Sequence, residues 1–201
     1  MNLISLAGWL LACLFLAISF LWKPISFWII FPICLILLMV YGLAFTKATT
    51  TNNQNGLKYW LLAILSGLLL YLAFAFGKEL LEFLNIPLID SLETLYSLVK
   101  PTHFLHFILL FCLIIPAEEF FWRYFFLNQL LKSFNTMKAL ILASLLYSLA
   151  HLFSGSLLLV LAAFISGLVW NYLYYVSRNI WVAIASHTIF NLFLLVLFPL
   201  L

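Results

Sequence analysis

Charge is what this sequence lacks most. Of 201 residues, 7% are Asp, Glu, Lys or Arg while 67% are hydrophobic, against about 25% charged in soluble globular chains. That scarcity excludes a soluble domain and makes the chain an integral membrane protein. The net charge of +3 is small and the cations are scattered. No basic stripe of the kind that binds nucleic acid is present, so the partners to expect are the lipid bilayer and membrane-embedded substrates. Cysteine is also scarce: Cys13, Cys34 and Cys112 are odd in number and lie inside apolar runs, which excludes a disulfide framework and marks them as packing residues. The opening MNLISLAGWLLACLF has no basic n-region and stays apolar through Trp22, too long for a cleaved signal, so it reads as the first span. No internal repeat occurs. Nor do two corresponding halves carry paired broken helices, which argues against a transporter.

What is present is a succession of apolar runs. At about 20 residues per crossing the chain has room for six to eight spans and little else. The punctuation predicts spans at 3–22, 25–45, 58–77, 102–131, 138–153, 156–176 and 180–199. Thr46–Lys58 is the one clearly hydrophilic loop. After Gly77, KELLEFLNIPLIDSLETLYSLVK alternates charged and apolar residues as one or two interfacial helices do, broken at Pro87. The fold class is therefore all-α, a polytopic transmembrane bundle of about seven to eight membrane helices plus an interfacial amphipathic helix. The fourth span is overlong, and Pro116 is the expected break in it. Lys47, Lys58, Lys132, Lys138 and Arg178 fall on one side of this topology, and Lys23, Lys78 and Lys100 on the other. The bias favours a cytoplasmic N-terminus under the positive-inside rule.

Four acids (Glu79, Glu82, Asp90 and Glu93) lie in the interfacial segment, which leaves Glu118 and Glu119 as the acids within spans. With Arg123 they form a group that lipid penalises by roughly 8–10 kcal/mol in sum. Packing alone does not select such residues. Glu119 and Arg123 are four apart and share a helical face, so they can neutralise one another. Glu118 is turned about 100° away and needs a polar partner from another span. His151, His187 and Asn191 are candidates, the last two sharing a face. Counting from the basic ends, Glu118 is 14 residues from Lys132, His151 is 13 from Lys138 and Asn191 is 13 from Arg178, which puts all three about 20 Å deep. His187, nine residues from Arg178, is one turn away. His103 and His106, at the start of the fourth span, read as interfacial residues. The many Phe, Tyr and Trp read as lipid-facing or interfacial, with no ligand role.

A buried carboxylate beside an imidazole can deprotonate water, and a second imidazole with a carboxamide can offer donors to an oxyanion. The same Glu118, His151 and His187 could instead hold zinc as a His₂Glu set, although no H-E-x-x-H spacing is present. Acyl transfer or another lipoprotein modification could use the same groups, but no Ser or Cys nucleophile stands beside His151. A non-enzymatic role, as an immunity factor or scaffold, remains the third alternative.

In order and spacing, Glu118-Glu119-x-x-x-Arg123, Tyr147-x-x-x-His151 and His187-x-x-x-Asn191 resemble the E-E-x-x-x-R, F-x-x-x-H and H-x-x-x-N motifs of the CAAX protease and bacteriocin-processing (CPBP/Abi) family. The resemblance covers about residues 102–195. It implies a catalytic core over 101–201, with 1–100 supplying N-terminal membrane helices and the interfacial segment of a single integral domain. It further implies an intramembrane endopeptidase of the bacterial cytoplasmic membrane, metal-free, acting on a membrane-anchored or lipid-modified peptide. Carried over position by position, Glu118 and His151 activate water, His187 and Asn191 form the oxyanion hole, and Glu119 with Arg123 braces the site. Tyr147 stands where the motif has Phe, which keeps the ring and adds a hydroxyl that needs a partner. Tyr124 follows the arginine where many members have Gly.

Overall fold

The computed structural model describes residues 1–46 and 56–200. Most of the hydrophilic loop, including Lys47, lies outside the described residues. Among the described residues there is no strand, and the chain runs α1 (Leu3–Trp22), α2 (Phe27–Ala44), α3 (Leu57–Phe83), the short α4 (Ile89–Val99), α5 (Phe104–Leu131), α6 (Thr136–Ser154), α7 (Leu157–Ser177) and α8 (Ile180–Leu197). All except α4 are long and apolar enough to cross a membrane, so the protein is a multi-pass helical bundle.

Two boundaries differ from the sequence expectation. The third span does not stop at Gly77 but continues to Phe83. Its charges support the helix, because Lys78 and Glu82 are one turn apart and pair at 3.0 Å,. The chain leaves the helix at Asn85, whose φ of 51° is left-handed, with the Ile86 N–H reaching back to the Leu81 carbonyl just before Pro87, a Gly-less version of a common helix stop. The interfacial helix is therefore α4 alone.

The second correction concerns Pro116, which does not break α5. The helix widens instead into a π-helical turn at Leu110–Ile114, where the Ile115 N–H bonds the Leu110 carbonyl, and again at Phe120–Leu127. Wider turns accommodate the missing N–H and the ring of proline without a sharp kink, and π-bulges of this kind recur at functional sites.

Small residues set the helix pairs that carry the polar side chains. A Cβ on Gly67 of α3 would come within 2.7 Å of the Ser186 carbonyl oxygen on α8. The two backbones touch there, joined by the Ser66 and Ser186 hydroxyls at 2.9 Å, as small residues allow between membrane helices. On the other side, Gly167 of α7 packs on Ser144 and Tyr147 of α6, and Asn171 donates to the Ser144 hydroxyl at 2.9 Å. These contacts fix α8 at His187 and α6 at His151. Trp9 of α1 donates to the Leu146 carbonyl of α6 at 2.9 Å, and Gly42 of α2 lies against Phe125 of α5, closing the bundle around α5.

Candidate active site

Glu119 and Arg123 are fully buried and joined at 3.1 Å through Oε1 and Nη1. The same oxygen accepts a 2.8 Å hydrogen bond from His187 Nδ1. A carboxylate only accepts, so Nδ1 carries the proton and His187 Nε2 points away from Glu119. The brace is thus a triad across α5 and α8, not a pair within α5.

Arg123 completes its environment with aromatic faces. Its Cζ lies 4.5 Å from the Tyr147 ring centroid and 5.2 Å from that of Trp170, whereas Nε and Nη2 make no hydrogen bond among the described residues. In a low-dielectric interior, two ring faces give the guanidinium electrostatic compensation that hydrogen bonds do not. Trp170 also stacks on His187, centroids 3.8 Å apart and planes at 18°.

Glu118, one residue earlier, faces elsewhere. His151 Nε2 is 3.9 Å from its Oε1 and His187 Nε2 is 4.0 Å from its Oε2. These separations exceed direct hydrogen bonds and suit a group held between them. His151 begins the 3₁₀ turn that ends α6, and its Nδ1 lies 2.8 Å from the Tyr147 carbonyl. A carbonyl can only accept, so this bond puts the proton on Nδ1 and leaves the neutral ring's Nε2 lone pair facing Glu118. Gly155, with φ of 74°, supplies the left-handed residue that turns the chain directly after this 3₁₀ turn.

Glu118, Tyr147, His151, His187 and Asn191 all line one cavity of about 510 Å³. Its floor carries these polar groups. Its walls are otherwise almost wholly apolar, with Phe27, Phe31, Phe74 and Leu110 among them and Lys78 at the α3 end. Helix α4 contributes Leu92, Leu95, Tyr96 and Val99 and is tied to α8 by the Tyr96 hydroxyl on the Leu194 carbonyl at 3.0 Å. Asn191 is half-buried at the cavity surface. The Tyr147 ring packs edge-on against Trp122 and His151.

His103 and His106 stand apart from this group at the start of α5, where His106 stacks on Trp28 with centroids 4.2 Å apart. No set of three His, Cys, Asp or Glu side chains with metal-binding geometry occurs among the described residues. Metal bonds near 2 Å would require Glu118 and the two imidazoles to draw together to roughly 3.3 Å.

The residue that the sequence reading overlooked is Trp170, grouped there with interfacial aromatics. A usable signal existed. Trp170 is eight residues from Arg178, about 12 Å inside the helix end, whereas membrane tryptophans favour the interface.

A membrane bundle with a buried carboxylate, two imidazoles and a carboxamide at the floor of an apolar chamber has the makings of an intramembrane hydrolase. Residues 100–193 match the family model described as Rce1-like, type II CAAX prenyl endopeptidase, so this segment is similar to that family. The resemblance drawn from the three motifs is thereby shown, over α5 to α8. Comparison with curated proteins and with solved structures gave no match.

Proposed function

We propose that the protein is an intramembrane endopeptidase that cleaves a membrane-anchored or lipid-modified peptide with water activated by Glu118 and His151. The observation that carries this reading is the Glu118 carboxylate standing 3.9 and 4.0 Å from two imidazole Nε2 atoms at the floor of an apolar cavity. The cavity volume falls within the about 300–1,000 Å³ of small-ligand sites, and its walls suit a prenyl or other hydrocarbon chain beside an extended peptide. A lipid-modified protein tail and a bacteriocin-like membrane peptide both have that character.

A water between Glu118 and His151 can hydrogen-bond both at about 2.8 Å. It loses its proton to this pair as its oxygen attacks the scissile carbonyl. Charge then develops on the carbonyl oxygen. The Asn191 amide can donate to it directly, and His187 Nε2 can donate when the ring is an imidazolium, its Nδ1–H remaining on Glu119. Collapse breaks the C–N bond, and the proton taken from water passes to the departing amine. Glu119, Arg123, Tyr147 and Trp170 act by holding His187 and His151 in place.

Acyl transfer needs a nucleophile in the chamber. Among the described lining residues the serine is Ser166, and its hydroxyl is given to the Ala162 carbonyl at 2.7 Å. The proposal is therefore hydrolytic, and it takes the metal-free form of that chemistry. In a reconstituted bilayer, mass spectrometry of a prenylated peptide should show a shortened product, and a divalent-metal chelator should leave the rate unchanged. A mass gain on the peptide, or loss of activity on chelation restored by zinc, contradicts it. The proposal puts the N-terminus, on the side richer in Lys and Arg, at the cytoplasmic face of a bacterial cytoplasmic membrane.

A further inference from the structure

A second cavity, sharing no lining residue with the first, opens at the opposite ends of the helices. It is about 740 Å³ and is bounded by Asn2 and Ile4 at the start of α1, Phe45 and Thr46 after α2, Asn128, Gln129, Leu131 and Lys132 at the end of α5, Thr136 at the start of α6, and Tyr175 and Arg178 at the end of α7. All these are helix ends on one side of the bundle, at the membrane interface.

The chemistry of this cavity is one-sided. Lys132 and Arg178 both line it, and no carboxylate does among the described residues. Neither cation is in an ion pair with a described acid, unlike Lys78 and Arg123. The floor is built and not merely exposed. Gln129, 5% exposed, donates to the Phe45 carbonyl at 3.2 Å, and its Oε1 receives Asn2 Nδ2 at 3.2 Å and Lys132 Nζ at 3.3 Å. Lys132 is thus drawn over the cavity. Arg178, left-handed at φ 52°, is held over the Tyr175 ring at 4.8 Å. Thr136 donates to the Tyr175 hydroxyl at 3.2 Å, which leaves that hydroxyl's own proton to give.

We propose that this cavity binds the phosphodiester headgroup of an anionic membrane phospholipid. Lys132 and Arg178 neutralise the phosphate, and the Tyr175 hydroxyl is an additional donor. A lipid is favoured over a soluble phosphate because apolar surface continues outward from the rim. Ile4 and Leu131 line the cavity, and Leu3 and Met137, 81% and 67% exposed, offer hydrocarbon contact to acyl chains beside it. Basic pockets between helix ends are where such headgroups settle.

Native mass spectrometry of the full chain in micelles doped with dioleoylphosphatidylglycerol or dioleoylphosphatidylcholine tests this. The glycerol lipid should be retained and the choline lipid lost. K132Q/R178Q should weaken retention about thirtyfold, the factor that follows from two cations at a membrane surface. K132R/R178K should retain the lipid, and K23Q, on the other side of the bundle, should behave as wild type. Equal retention of both lipids, or undiminished retention by K132Q/R178Q, overturns the proposal. Inorganic phosphate that displaces the lipid at equal concentration assigns the cavity to a soluble anion and overturns it too.

Discussion

The apolar chamber has an ion pair at its rim and another beneath its floor, both spaced i,i+4 on a helix. At the rim, Lys78 and Glu82 of α3 lie 3.0 Å apart with side chains 17% and 40% exposed. Beneath the floor, Glu119 and Arg123 of α5 lie 3.1 Å apart with no exposure at all. Sequence spacing and contact distance are nearly the same, so the difference lies in what surrounds them. The rim pair can exchange partners with water and with Glu79. The floor pair cannot, and one carboxylate oxygen there serves both the guanidinium and His187. Similar local chemistry is a modest helix support in one place and the fixed frame of the proposed reacting centre in the other.

Substitutions that break this contrast should rank accordingly. Glu119→Ala leaves Arg123 buried without its anion and His187 without its Nδ1 acceptor. It should cost about 3–5 kcal/mol, read as a large fall in unfolding temperature in detergent, together with loss of peptidase activity. Trp170→Phe keeps an aromatic face against His187 and Arg123 but reduces its area. It should lower stability by about 0.5–1.5 kcal/mol and reduce kcat more than it raises KM, because His187 is loosened and the chamber is not. Lys78→Gln should change stability by less than about 1 kcal/mol, with unfolding temperature and chamber activity close to wild type. A larger effect of Lys78→Gln than of Glu119→Ala would invert the comparison.

Much of the bundle was legible because lipid imposes a simple rule: seven long apolar runs become seven long apolar helices. Legibility failed where the rule is silent. The KELLEF segment looked like departure from the membrane, yet its charges pair along α3 and prolong the helix. Pro116 looked like a break because a regular α-helix cannot absorb it, and a π-helical turn can. A common depth for Glu118, His151 and Asn191, with His187 one turn away, was accessible from counting residues to the basic ends, since depth follows from helical rise. Which ring nitrogen meets which carboxylate was not. That depends on the rotation of α8, set by Gly67 against Ser186, and only the packed structure brings His187 Nδ1 to Glu119. Trp170 was missed for a similar reason. Composition marks it as one apolar residue among many, and its role comes from stacking across helices.

The central claim, that Glu118 aims a water at a peptide bond, is tested most directly by cleaving a lipid-modified peptide in water enriched in oxygen-18, with wild type and Glu118→Gln side by side. The account predicts one heavy oxygen in the new carboxylate formed by wild type. It predicts a rate lower by about 10²–10⁴ in the variant with an unfolding temperature close to wild type. Full activity in a folded Glu118→Gln protein, or a wild-type product without the heavy oxygen, would contradict it.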